Sequence, residues 1–307
     1  MDKLIGPGTL RRWAIANLLA NMAIVWTGAL VRLTKSGLGC STWPQCEPGS
    51  YLPYPEAPLH AFIEFGNRLL TFVLIIIALA TFLAARSAVK ARRQPALTAR
   101  LAFAVGLGIF AQGVIGGISV LTQLNPWVVG LHMVVSVGLI VACTRIVHAA
   151  SDLVPAPTAR LPWLLAQVVF YGSLLLMYLG TVTTGAGPHA GDGAAERNGF
   201  GLIETARLHS ITMWLTVGAT VLLAIVAKNQ PRLRRSALAV IGVAALQGAI
   251  GYTQYALHLP VPLVFAHMVG TTLYTVAVAH LWFGVTRLSG RSEPGLVDQQ
   301  GASSTRA

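Results

Sequence analysis

Gln112-Gly113-Val114-Ile115-Gly116 is followed, twenty residues after its glutamine, by His132-Met133, and the arrangement recurs as Gln247-Gly248-Ala249-Ile250-Gly251 with His267-Met268. Both pieces repeat at one offset of 135 residues, Gln112 to Gln247 and His132 to His267. A shared tag with a shared spacing marks an internal duplication in which each half carries one helix-borne histidine at an equivalent place. The histidines are therefore the first candidates for chemistry.

The 307-residue chain is 54% apolar and only 10% charged, with a mean hydropathy of +0.65. Its apolar runs are as long as a bilayer is thick, so the class is an all-α polytopic membrane protein. The net charge of +12 does not point to nucleic acid, because the basic residues sit in short clusters between apolar runs. Eight spans are predicted, at 12–33, 61–85, 99–121, 127–148, 162–183, 205–227, 236–257 and 262–285.

Lys3, Arg11 and Arg12 precede the first span; Arg86, Lys90, Arg92, Arg93 and Arg100 lie around the second connection, Arg145 and Arg160 around the fourth. Lys228, Arg232, Arg234 and Arg235 fill the sixth, and Arg287 and Arg291 follow the last span. Positive charge on alternate connections places both termini in the cytoplasm. Trp13 to Val31 has spanning length and no clear small-residue cleavage site, and no Arg/Ser-rich transit segment precedes it, which favours a prokaryotic cell membrane.

An even number of spans per half makes the repeats parallel, related by an axis along the membrane normal. Two four-helix bundles are expected: residues 1–155, with the Cys loop, and residues 156–288, followed by a disordered tail at 289–307.

The first outer loop, Thr34 to Leu59, carries Cys40 and Cys46 around Trp43-Pro44; cysteines this close on an outer face form a disulfide readily. Their spacing is not that of a zinc site. Cys143, deep in the fourth span, reads as a packing residue. In the third outer loop, His189 in Gly187-Pro188-His189-Ala190-Gly191-Asp192 either faces a bound group or ties the loop down, and the spacing favours the second.

Ionisable groups inside a membrane are costly and usually face a bundle interior. His60, Glu64, Asn67 and Arg68 share one helix face near the outer end of the second span. Glu64 and Arg68 either neutralise one another as an i,i+4 pair, or the carboxylate handles a proton or stabilises a cation during catalysis. Glu204, Arg207 and His209 cluster near the outer end of the sixth span, and His132 and His267 lie at similar depth in the fourth and eighth. Paired imidazoles on facing helices can grip a haem iron from both sides, with Arg68 and Arg207 meeting its propionates. Zinc or copper would want more ligands converging on a point than two histidines per bundle. His148, His258 and His280 read as hydrogen-bonded core histidines.

Over nearly its whole length the chain resembles the heme A synthase family. The likeness is carried by the duplicated eight-span plan, the Cys40/Cys46 loop, Ile63-Glu64-Phe65-Gly66-Asn67-Arg68, Leu124-Asn125-Pro126-Trp127 ahead of His132, the Gly-Pro-His-Ala-Gly-Asp loop, and His209 and His267. The resemblance implies oxidation of the C8 methyl of heme O to the formyl of heme A, with water-derived oxygen, for the terminal oxidase. It implies His209 and His267 as axial ligands of a haem b in the C-terminal half, with Arg207 nearby. The substrate haem goes to the N-terminal half, beside His132 and catalytic Glu64. Heme O is the implied substrate, heme O synthase and cytochrome oxidase assembly proteins the implied partners besides membrane lipid, and a homo-oligomer is compatible.

One position departs from the family, whose Glu-x-x-His-Arg reads Glu64-Phe65-Gly66-Asn67-Arg68 here. His60 stands seven residues before Asn67, about 10 Å along a helix. Either His60 serves a haem nearer the surface or the substrate iron has His132 alone; the need of a reacting iron for an open position favours the second. A non-catalytic di-haem cytochrome b in quinol-linked electron transfer is the rival reading, though it has no use for Glu64. A transporter built on parallel repeats is the other, and would show no haem spectrum.

Overall fold

A computed structural model describes residues 5–287 apart from Glu56. The expected tail at 289–307, together with Lys3 and Arg291, lies outside the described residues. Among the described residues, eight helices are long and apolar enough to cross a membrane. They are α1 (Leu10–Leu33), α2 (Leu59–Lys90), α3 (Ala96–Leu121), α4 (Pro126–Ala150), α5 (Arg160–Ala186), α6 (Leu202–Val226), α7 (Pro231–Ala256) and α8 (Val261–Phe283). In hydrocarbon each backbone N–H and C=O must find its partner within the segment, which is why apolar runs of this length are helical. The chain is a multi-pass membrane protein whose spans fall where the sequence placed them, α2 alone being much longer than its apolar run.

Neighbouring helices follow a ring in each half: α1, α2, α3 and α4 touch in turn and α4 returns to α1, and α5 to α8 do the same. Each ring has its own buried cluster, Leu18, Leu74, Val105, Ile109 and Ile140 among the first set, Val169, Leu223, Val240, Tyr274 and Val278 among the second. The halves meet where α8 lies against α4 and α1. There Trp26 Nε1 donates to Thr272 Oγ1 at 2.9 Å.

The duplication is visible in the turns. Between α3 and α4, Gln123 and Leu124 take φ of 53° and 59°; between α7 and α8, His258 and Leu259 take 60° and 62°. In both, the second left-handed residue donates its N–H back to the helix, Leu124 to Ser119 O and Leu259 to Gln254 O. Asn125 then caps α4 by accepting from Trp127 N at 3.0 Å, with Pro126 in the first turn where no N–H is needed. His258 therefore is no core histidine: the turn puts it at the exposed tip.

At the other end, α8 stops at Phe283 rather than 285, because Gly284 ends it and Val285–Arg287 pairs in parallel with Ala156–Thr158. This two-stranded clasp, unanticipated in the sequence, ties the start of the second half to the end of α8. Close by, His148 Nε2 and His280 Nδ1 are 2.7 Å apart, so both are hydrogen-bonded as expected, though only His148 is buried. Cys143 is buried, with Asn21 Nδ2 3.7 Å from its sulfur.

Candidate functional site

In the second half, α6 carries His209 and α8 carries His267, each ring seated against a glycine of a neighbouring helix. His209 Nδ1 lies 3.0 Å from Leu176 O, so this nitrogen carries the proton and Nε2 is left as a free donor of its lone pair. The ring rests on Gly180, where a Cβ would come within 3.2 Å of Cε1. His267 rests likewise on Gly251, with 3.4 Å from a Cβ there to Cε1. Gln247 holds this histidine's backbone: its Nε2 donates to His267 O at 2.9 Å and to Thr271 Oγ1 at 3.3 Å.

The first half reproduces the α8 arrangement on α4. His132 rests on Gly116, Gln112 Nε2 donates to His132 O at 2.9 Å, and Ser136 stands where Thr271 does. The duplicated tag thus has a physical meaning: the glutamine pins the histidine's carbonyl, and its second glycine gives the imidazole a flat surface. In both halves His Nδ1 is buried without a partner, and Nε2 makes no hydrogen bond among the described residues.

The facing helix differs. Thr71 packs on Gly113 as Met213 packs on Gly248, an offset of 142 residues that sets Asn67 at the place of His209. The first helices align at 152 residues, setting Ile24 at Leu176 and Gly28 at Gly180. Asn67 Oδ1 lies 2.7 Å from Thr27 Oγ1, whose hydroxyl is 3.2 Å from Ile24 O. The shorter side chain leaves Gly28 uncovered: a Cβ there would meet nothing within 4 Å.

One turn away from Asn67, Glu64 is 5% exposed and both its oxygens are engaged. Oε2 accepts from Cys40 N at 2.7 Å, and Oε1 from Arg68 Nη2 at 2.6 Å and Nε at 3.2 Å. This is the one ion pair among the described residues. Arg68 also donates to Thr42 O and Gln45 O. The Cys40–Cys46 disulfide forms, and the loop it closes is thereby moored to α2 on both sides of Trp43-Pro44. Trp43 packs flat on Gly117 of α3, where a Cβ would fall 2.2 Å from its ring. The repeat position of Gly117 is Tyr252, so this docking belongs to the first half only.

Three candidates stand apart. His60 is exposed, with Nδ1 2.8 Å from Ser36 Oγ. Arg207 is exposed and two residues from His209, a spacing that turns side chains away from each other. His189 ties loops together, as expected: Nε2 is 2.8 Å from Leu259 O, and its own carbonyl accepts from Arg32 Nε, while Arg32 Nη2 reaches Thr184 O at 3.1 Å. Of Trp43, Gln112, Gln247 and Arg32, the sequence signals only the two glutamines, through the Gln-Gly tag.

Among the described residues no three His, Cys, Asp or Glu side chains converge as a metal-binding group. Paired imidazoles with unused Nε2 atoms, on glycine surfaces that admit a flat ring, fit a haem. The model of the COX15-CtaA family, cytochrome oxidase assembly protein, matches residues 11–279.

The chain belongs to this family.

Among similar proteins, a heme A synthase of Geobacillus thermodenitrificans is 35% identical over 139 residues, 43% of this chain and 42% of that protein. One of Geobacillus kaustophilus is 38% identical over 110 residues, 36% of this chain and 32% of that protein. One of Listeria welshimeri is 29% identical over 129 residues, 42% of this chain and 41% of that protein. The matched stretches span less than half the length of these relatives.

Proposed function

We propose that the protein is a heme A synthase, an oxidoreductase that converts the C8 methyl of heme O to a formyl group. The carrying observation is the first half itself: a buried carboxylate, Glu64, stands one helical turn from Asn67 in the half whose α4 presents His132. An electron-transfer cytochrome has no use for that group. The overall change, methyl plus water to formyl plus four protons and four electrons, needs a place for protons and for positive charge developing at the methyl carbon. Glu64 supplies it, and Arg68 with the Cys40 N–H holds the carboxylate in position.

His209 and His267 would hold a haem b in the second half, and that group would supply one-electron transfer. Gln247, Gly251 and Gly180 set those two rings, and the Leu176 carbonyl keeps His209 Nε2 free for the iron. In the first half, His132 orients the substrate haem, and the disulfide loop with Trp43 seated on Gly117 closes the end of the bundle over Glu64. Exposed apolar side chains along the spans place the protein in a bilayer, from which the farnesylated substrate enters sideways. Reading the basic connections as inward places the disulfide loop and both histidine sites toward the outer face of a prokaryotic cell membrane. Heme O synthase and oxidase assembly factors are the partners this reaction implies.

The test is product analysis. Extracted haem from cells that make heme O and this protein should contain heme A. A strong haem spectrum with no heme A would instead establish the di-haem cytochrome.

A further inference from the structure

We propose that the first half binds its haem iron through His132 alone, leaving an open coordination side over Gly28 that admits a small diatomic ligand. The inference rests on the haem reading above and adds to it the coordination state of this half.

The argument is a comparison within one chain. Where the two halves agree, on the α4 and α8 side, they agree in detail: glutamine to carbonyl at 2.9 Å in both, and imidazole against a glycine whose Cβ, were there one, would fall 3.3 Å from the ring in one and 3.4 Å in the other. Where they differ, on the α2 and α6 side, the difference removes a ligand. His209 covers Gly180 and takes the Leu176 carbonyl; Asn67, at the matching position, reaches Thr27 and leaves the Gly28 surface bare among the described residues. An amide is a poor iron ligand beside an imidazole, and its oxygen is already engaged.

His60 does not make up the loss. It lies seven residues before Asn67, about two turns or 10 Å along the helix, and its Nδ1 is held at Ser36. The vacated side is not merely empty: Glu64, three residues from Asn67, shares its helix face. A ligand-accessible iron next to the carboxylate is the arrangement an oxidation requires, whereas a doubly ligated iron serves electron transfer.

The test uses the purified full-length protein saturated with protoporphyrin IX iron, reduced, and exposed to carbon monoxide. In wild type, roughly one of the two haems should bind carbon monoxide and be high-spin beforehand, the other staying low-spin and inert. Asn67→His should supply the second ligand and remove the reactive fraction; His60→Ala should leave it in place. Haem that is entirely low-spin and inert in wild type overturns the proposal while sparing the haem reading. A reactive fraction that appears only with His60→Ala also overturns it, by making His60 the ligand. Wild type that binds no haem defeats both. The wild-type spectrum alone decides if Asn67→His does not fold.

Discussion

The two ends of the duplication share a scaffold and differ in one facing helix. In α6 the position opposite His267 is His209; in α2 the position opposite His132 is Asn67, with buried Glu64 a turn away and an arginine that fastens the disulfide loop. On the proposed reading the second half would hold its haem from both sides, and the first would hold one from a single side, beside a carboxylate and under the disulfide loop. Duplication would then separate two demands that conflict at one site: tight ligation for electron transfer, and an open coordination position for reaction.

The comparison can be broken in several places. His267→Ala should remove the low-spin signal of the second half entirely while the first-half haem remains, read by the reduced-minus-oxidised spectrum; equal loss from both halves would show that the sites are not separate. Gln247→Leu should weaken haem binding there by about 10-fold and cost about 1 kcal/mol, since it frees the His267 carbonyl and the Thr271 hydroxyl. Gln112→Leu should do the same to the first half only, measured by haem titration and thermal unfolding.

A smaller effect sharpens the asymmetry. Gly180→Ala puts a methyl group 3.2 Å from the His209 ring and should shift the second-half Soret band and midpoint potential, whereas Gly28→Ala, which has no imidazole to displace, should leave the resting first-half Soret band in place and slow carbon monoxide binding on the open side. Smallest of all, Arg207→Ala should change haem content by less than about twofold, because the side chain is exposed and turned from His209.

Much of this was legible from sequence because it is local. Eight apolar runs mark eight helices, and the tag spacing locates His132 and His267, since both depend on neighbours along the chain. What escaped depends on distant segments meeting. Nothing near Trp43 says that it will seat on Gly117, nor near Arg68 that it will reach back to Thr42 and Gln45. The Ala156–Thr158 and Val285–Arg287 clasp joins segments over a hundred residues apart and leaves no periodic trace in three residues each. His258 differs from its sequence expectation for the opposite reason: its apolar surroundings suggest a core, while the turn conformation, shared with Gln123, carries it outward.

The central claim, that one scaffold serves chemistry in the first half and ligation in the second, is tested most directly by Glu64→Gln in cells supplied with heme O. Heme A in the extract should fall by at least about 100-fold, the order of loss when a group stabilising transition-state charge is removed, while the low-spin haem of the second half keeps its full amplitude. Wild-type heme A from this variant would contradict the account.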